Sequence, residues 1–119
     1  MNTRYRVAFF AATLFSAISL SSPLLASTES GIASIYSGER TANGEYAHAH
    51  SLTAAHRTLP FGTKVKVTNI GNGQSVIVRI NDRGPYIKGR IIDLTPAGAK
   101  AIGFSGLARV QVAVVPGSA

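Results

Sequence analysis

The sequence of 119 residues has no cysteine and only five acidic residues, against twelve lysines and arginines. Without cysteine the fold has no disulfide, even in an oxidising compartment, so its core must hold it together alone. Lipidation of an N-terminal cysteine thiol is not expected for the same reason. Because acids are so scarce, each carboxylate within a dense polar motif is a candidate for chemistry.

The first 26 residues predict a secretory signal peptide. Arg4 and Arg6 precede a mostly apolar stretch from Val7 to Leu20, and a Ser-Ser-Pro break separates that stretch from Ala26. The stretch is shorter than the roughly 20 residues of a membrane span. We expect cleavage after Ala26, with an uncleaved N-terminal anchor as the alternative. The mature protein would be periplasmic or secreted, neither lipid-anchored nor stably inserted in a membrane.

Residues 27–119 have the length of one domain and an excess of basic residues. Export argues against nucleic acid as the partner of this charge. An anionic polymer such as the cell wall is the better candidate, because attraction raises its local concentration. The alternative is that the charge only keeps the protein soluble. We expect a monomer.

Period-two alternation of apolar residues predicts a mainly β fold. Val65 and Val67 alternate with lysines, and Gly71-Asn72-Gly73 suits a tight hairpin turn. Residues 37–51 lack such a period and predict a long loop. The predicted strands are 31–36, 63–68, 75–80 and 107–115.

One short helix is predicted after these first three strands. Thr95 suits the N-cap, Pro96 the first helical position, and Gly103 the position just past the end. Short strands, one small helix and long glycine-rich loops together favour a compact β-barrel.

The run from Asn81 to Tyr86 places a carboxylate, a guanidinium, a turn and an aromatic ring side by side. Asp82 ends a predicted strand, where the following turn could aim it into a groove; alternatively it caps that turn or pairs with Arg83. Asp93 lies in an apolar run, so it is expected to be partly buried and to need a partner. We expect that partner to be Arg83 or Arg90.

Five motifs, in order, resemble the rare lipoprotein A (RlpA) family, and the resemblance spans Gly31 to about Val115. It implies a single six-stranded double-psi β-barrel with one short helix, distantly similar to expansins. It also implies a lytic transglycosylase that cleaves the MurNAc-GlcNAc bond of peptidoglycan. The motifs are Gly31 to Tyr36, Thr41 to Glu45, Leu52 to Pro60 with Val65 to Asn69, Asn81 to Tyr86, and Arg90 to Leu94.

The implied reaction needs few protein groups. An acid protonates the leaving oxygen, and the 6-hydroxyl of the substrate attacks the anomeric carbon, which gives a 1,6-anhydro product. One carboxyl can therefore serve first as acid and then as base. Asp82 is our first choice for that role, Glu45 matches the second acidic position of the family, and Asp93 is the alternative. His56 would orient a carboxylate or bind sugar hydroxyls.

Substrate binding is assigned to four further residues. Tyr46 and Tyr86 would stack on sugar rings, Asn81 would hold an acetamido group, and Arg83 completes the set.

No metal or cofactor is expected. His48, His50 and His56 could in principle converge on zinc, but loop histidines at this spacing are more often unpaired. In the RlpA resemblance His48 replaces a usual Asp or Asn.

Two alternatives to the transglycosylase stay open. One is a non-catalytic, expansin-like module that binds or loosens the wall. The other is a secreted hydrolase of another β-linked glycan such as cellulose.

Overall fold

The computed structural model describes residues 28–118. The predicted signal peptide, residues 1–26, and its cleavage site lie outside the described residues. Within 28–118 no helix has the length and apolar character needed to cross a membrane.

Six strands close into a barrel with one helix beside it. The strand order is β1-β5-β2-β4-β3-β6. The β1/β5 and β2/β4 pairs are parallel and the other pairs are antiparallel. The predicted six-stranded, mainly β barrel is therefore confirmed. The elements are β1 (Thr28–Ile35), β2 (Thr53–Ala55), β3 (Lys64–Asn69), β4 (Ser75–Asp82), β5 (Arg90–Leu94), α1 (Pro96–Ala101) and β6 (Ala108–Val114).

Alternating valines fill the barrel interior as predicted. Val65 and Val67 of β3 are completely buried, whereas the lysines beside them face solvent. Val110 and Val112 of β6 are buried in the same cluster, together with Ile92 of β5. Burial of a side chain of this size contributes roughly 1.5–3 kcal/mol. The packed core therefore stabilises a fold that has no disulfide.

The four strands predicted from alternation correspond to β1, β3, β4 and β6, but β2 and β5 are not recognisable by period. Strand β2 has three residues, all buried, and β5 has a buried apolar pair. Runs this short carry no alternation that separates a strand from other buried segments. Both are strands because the barrel pairs them.

Helix α1 begins and ends as predicted. Oγ1 of Thr95 accepts a hydrogen bond from the Gly98 amide at 3.3 Å, and Pro96 is the first helical residue. Gly103 follows the C-cap Ile102 with a φ of 75°, a conformation that favours glycine.

A β-bulge lies at the end of β4, which extends two residues beyond its predicted end. Ala54 of β2 pairs with Ile80 but Ala55 pairs with Asp82, so Asn81 is the extra residue. A bulge bends the strand and redirects side chains. It therefore determines where the predicted polar motif projects.

Ala55 also pairs with Asp93 on its other side. Asp82 and Asp93 thus flank β2 from its two neighbours, with backbones two strand spacings, or roughly 10 Å, apart. Asp93 pairs in turn with Ser34 of β1. Four adjacent strands therefore place Ser34, Asp93, Ala55 and Asp82 in one row, which contains two carboxylates.

Candidate functional site

The loop of residues 37–51 folds back over the end of β4. A bridge joins Arg40 to Tyr46, and the Thr41 amide donates to the Glu45 carbonyl at 2.7 Å. The backbone amide of Asn43 donates to the backbone carbonyl of Asn81, the bulge residue, at 3.2 Å. These bonds hold the loop against the strand that carries the polar motif.

Asp82 is fixed by one of its two carboxylate oxygens. Oδ1 accepts hydrogen bonds of 2.8 Å from the backbone amides of Ala42 and Arg83. The second bond is the turn cap considered as an alternative role for this residue. Among the described residues no group donates to Oδ2. The half-buried side chain is held in place with one oxygen available.

Glu45 is held by two donors of β4. Its Oε1 accepts from Nδ2 of Asn81 at 2.9 Å and from Nη2 of Arg79 at 3.0 Å. The Asn81 hydrogen bond, followed by that of Arg79, lowers the pKa of Glu45 below its ordinary value. Glu45 is therefore an ionised carboxylate at neutral pH.

Tyr36 joins this cluster from the end of β1. Its hydroxyl donates to Oδ1 of Asn81 at 3.2 Å. The side-chain oxygen of the completely buried Asn81 thus binds Tyr36, and its side-chain nitrogen binds Glu45. Burial, and then the negative charge of Asp82 and Asp93, raise the pKa of Tyr36 far above its ordinary value. Tyr36 is therefore a neutral donor.

Asp93 accepts a hydrogen bond from the Ser34 hydroxyl. The expected pairing with Arg83 or Arg90 is wrong, because neither guanidinium forms an ion pair with it among residues 28–118. Register explains the actual partner, since Ser34 and Asp93 face each other across the β1/β5 pair.

His56 is buried, and its ring contacts the N-terminal end of β1. Nδ1 lies 3.2 Å from the amides of Thr58 and Leu59, and Nε2 lies 2.9 Å from Oε1 of Glu29. Since Nδ1 accepts, the Nε2–H donates to Glu29. His56 does orient a carboxylate, but that of Glu29 rather than Asp82 or Glu45.

The guanidinium of Arg83 braces the loop that follows β2. Nη1 donates to the carbonyls of Leu59 at 2.8 Å and His56 at 3.2 Å, and the group lies 4.1 Å from the centre of the Phe61 ring. These contacts fix the segment beside the Asp82 backbone.

Two tyrosines present open ring surface near this cluster. Tyr86 is 75% exposed, directly after the cis Gly84–Pro85 peptide. Tyr46 is 49% exposed, and its other face meets the Arg40 guanidinium 4.7 Å from the ring centre. Both rings are accessible for stacking.

Within the described part of the chain, no three histidine or acidic side chains converge as metal ligands. His48 lies near the Tyr46 ring, with ring centres 6.0 Å apart, whereas His56 contacts Glu29.

Sequence reasoning did not single out Tyr36 or Arg79 for the site. Arg79 carried one usable signal. It is a charged residue on the outward side of a predicted strand, and it lies two residues before Asn81. Tyr36 carried none, because its contact with Asn81 spans 45 residues.

Comparison with known proteins identifies the family. A family profile described as "Lytic transglycolase" matches residues 28–114. The chain is 60% identical over 91 residues to a "Probable endolytic peptidoglycan transglycosylase RlpA" of Synechocystis, a match covering 71% of this chain and 28% of that protein. It is 52% identical over 94 residues to the "Endolytic peptidoglycan transglycosylase RlpA" of Vibrio cholerae, covering 74% and 36%. The chain thus spans about a third or less of these curated relatives.

Solved structures share the fold at lower identity. The Streptomyces papain inhibitor aligns with a TM-score of 0.61 and 21% identity, covering 76% of this chain and 96% of the inhibitor. A Clavibacter michiganensis expansin aligns with a TM-score of 0.60 and 23% identity, covering 77% and 52%. At these identities the likeness concerns the fold alone. Fold, motifs and family profile agree: the chain belongs to the lytic transglycolase family of RlpA-like double-psi β-barrels.

Proposed function

We propose that this domain is a peptidoglycan lytic transglycosylase that cleaves the MurNAc-GlcNAc bond and leaves a 1,6-anhydro-MurNAc end. One observation carries the proposal: Asp82 is anchored through Oδ1 alone, and the residue before it, Asn81, binds the ionised Glu45. Family membership and relatives named peptidoglycan transglycosylases support it.

Asp82 acts as acid and then as base. Its Oδ2 protonates the glycosidic oxygen and later takes the proton from the substrate's 6-hydroxyl as that oxygen attacks the anomeric carbon. The two backbone amides on Oδ1 keep the carboxyl oriented through both steps. No enzyme nucleophile and no water are consumed, so a second carboxylate is free for another role.

Glu45 supplies negative charge. The transition state resembles an oxocarbenium ion, and a carboxylate that stays ionised stabilises it. Two carboxyl groups in different environments can thereby take two roles. Asn81 and Tyr36 act as positioning residues, because they fix Glu45 without offering it a proton.

The remaining predicted residues take supporting roles. Tyr46 and Tyr86 stack on sugars, and Arg83 shapes the segment beside Asp82 through its carbonyl contacts. The burial of Asn81 favours positioning of Glu45 over direct contact with an acetamido group. His56 holds the end of β1 through Glu29, and Asp93 is kept as the alternative acid.

The substrate requires a protein outside the cytoplasm. We place the mature domain in the periplasm or secreted, after removal of residues 1–26, as a monomer on glycan strands.

Digestion of purified sacculi tests the proposal. Fragments lighter by one water than hydrolysis products, seen by mass spectrometry, indicate a transglycosylase. Asp82→Asn should lower their release by about 10²–10⁴-fold, the usual contribution of acid–base catalysis. The asparagine keeps an oxygen for both amides, so the melting temperature should hold.

Glu39→Gln is the matched control, since this exposed loop acid forms no ion pair among residues 28–118. It should cleave like the parent. Full-mass reducing ends would replace the proposal with a hydrolase. Binding to sacculi without fragments, unchanged by Asp82→Asn, would replace it with a wall-binding module.

A further inference from the structure

His56 contacts both the start of β1 and the strand end that carries Asp82. Its backbone amide donates to the Asp82 carbonyl at 3.1 Å, and its carbonyl accepts from Nη1 of Arg83 at 3.2 Å. Its ring, in contrast, lies against Glu29, whose Oε1 is 2.9 Å from Nε2. One buried residue therefore joins Glu29 of β1 to Asp82 of β4, two strands that do not pair with each other.

The ring of His56 also shapes the turn that follows β2. Nδ1 accepts hydrogen bonds from the backbone amides of Thr58 and Leu59, both at 3.2 Å. It can accept them only while it carries no proton of its own. The carboxylate of Glu29 favours this arrangement, because it accepts from Nε2 and so keeps the ring proton on that nitrogen.

The turn reaches Asp82 through Arg83. The Leu59 carbonyl accepts from Nη1 of Arg83 at 2.8 Å, so the guanidinium lies against the turn. The backbone amide of the same arginine donates to Oδ1 of Asp82 at 2.8 Å. The only other donor to this oxygen among residues 28–118 is the Ala42 amide. Hydrogen bonds thus connect the carboxylate of Glu29 to that of Asp82 through His56, the turn and Arg83.

Stability alone does not require a polar pair at this place. Glu29 and His56 line a cavity of about 300 Å³ whose walls include Leu59, Val112 and Val114. Apolar side chains in place of a buried polar pair often stabilise a fold equally well or better. The Glu29 side chain is 41% exposed, so its bond to the ring adds little stability. A role in geometry explains the pair better than a role in folding.

We propose that Glu29 is a positioning residue for glycan cleavage, which keeps Asp82 oriented through His56; this rests on the proposed function. Glu29 does not touch the substrate. It holds the ring, the ring holds the turn of residues 58–59, and the turn holds Arg83 beside Asp82. A general acid works only in the correct geometry, so loss of Glu29 slows the chemical step. Substrate binding through the exposed tyrosines is not affected.

Two substitutions of Glu29 test the proposal on solubilised glycan strands. Glu29→Ala removes the acceptor of Nε2 and should lower kcat for release of 1,6-anhydro product by about tenfold to hundredfold, as expected for a misplaced catalytic group. KM should stay within about twofold, because the interaction acts on the transition state. Glu29→Gln keeps an acceptor oxygen and should retain kcat within about twofold. Rates are measured well below the melting temperature of each variant.

Amide hydrogen exchange follows the same connection without substrate. In Glu29→Ala the amides of Thr58, Leu59 and Arg83 should exchange faster than in the parent, since local opening exposes them. The amides of β3 should exchange as before. Glu39→Ala is the control, because it removes a carboxylate from an exposed loop position. It should match the parent in kcat, KM and exchange.

An unchanged kcat in Glu29→Ala, an equal loss in Glu29→Gln, or a change confined to KM would overturn the proposal. A lower kcat without faster exchange at Arg83 would also overturn it, because Glu29 would then act by another route. A parent protein that binds the strands but releases no anhydro product would instead contradict the proposed reaction. Exchange at Arg83 would still decide whether Glu29 orients this segment.

Discussion

Asn81 donates a hydrogen bond of 2.9 Å from Nδ2 to Oε1 of Glu45, a residue 36 positions earlier in the chain. The donor is completely buried and occupies the β-bulge of β4. The acceptor belongs to an otherwise irregular loop. The bulge therefore determines where the loop carboxylate lies, which links a detail of strand pairing to the proposed chemistry.

Replacement of Asn81 by alanine should weaken both fold and catalysis. The change leaves Tyr36 without its acceptor and Glu45 without its buried donor, which should cost about 1–3 kcal/mol of unfolding free energy. Urea unfolding measures that loss, and release of anhydro fragments should fall with it. Gln111→Ala, at an exposed position of β6, should change stability by no more than about 0.5 kcal/mol. Equal stability of parent and Asn81→Ala would refute the buried link.

The lowered pKa of Glu45 predicts a stabilising contribution that disappears in acid. A carboxyl whose pKa is lower folded than unfolded stabilises the fold above its ordinary value of 4.5, and loses this effect as the pH falls through the folded value. Melting temperatures from about pH 6 to pH 3 should therefore converge between the parent and Glu45→Gln. The difference should be small, because the side chain is 44% exposed.

Glu39→Gln provides the comparison for that experiment. Its curve should run parallel to that of the parent through the same pH range. Parallel curves for Glu45→Gln as well would mean that Arg79 and Asn81 do not stabilise its carboxylate.

Tyr36 should stay protonated for as long as the barrel is folded. Burial first, and then the carboxylates of Asp82 and Asp93, raise its pKa. Stability linked to this group is complete below the unfolded value of about 10 and is lost as the pH rises above it. Tyr36→Phe should remove this alkaline loss and cost about 1 kcal/mol at neutral pH through the missing hydrogen bond. Tyrosinate absorbance during alkaline titration tests it: early ionisation of Tyr36 in the folded protein would contradict the burial.

Thr95 should stabilise α1 through its hydroxyl. Oγ1 accepts from the Gly98 amide and donates to the Ser51 carbonyl, in a completely buried position. Thr95→Ala should cost about 1–2 kcal/mol in urea unfolding, whereas Thr95→Ser keeps the hydroxyl and should cost less. If serine and alanine are equally destabilising, the lost methyl group rather than the cap explains the effect.

The sequence by itself determined the features that depend on near neighbours. Alternating valines predicted β3 and β6 because a strand turns successive side chains to opposite faces. Thr95, Pro96 and Gly103 predicted the ends of α1 because caps are local hydrogen bonds and local backbone angles. The order of five motifs was enough for the family. The scarcity of acids directed attention to Asp82 and Glu45, whose roles stay a prediction.

Only the tertiary structure decided which of these residues meet. The strands β2 and β5 are too short to show a period, and they exist because β4 and β1 pair with them. The bulge at Asn81 is a difference in register between two strands, which neither strand encodes alone. The bulge placed Asn81 as a partner of Glu45. The separate register of the β1/β5 pair placed Ser34 opposite Asp93, so the assignment of Asp93 to an arginine failed. Contacts across 36 to 59 residues depend on closure of the whole barrel, and no local pattern in the chain predicts them.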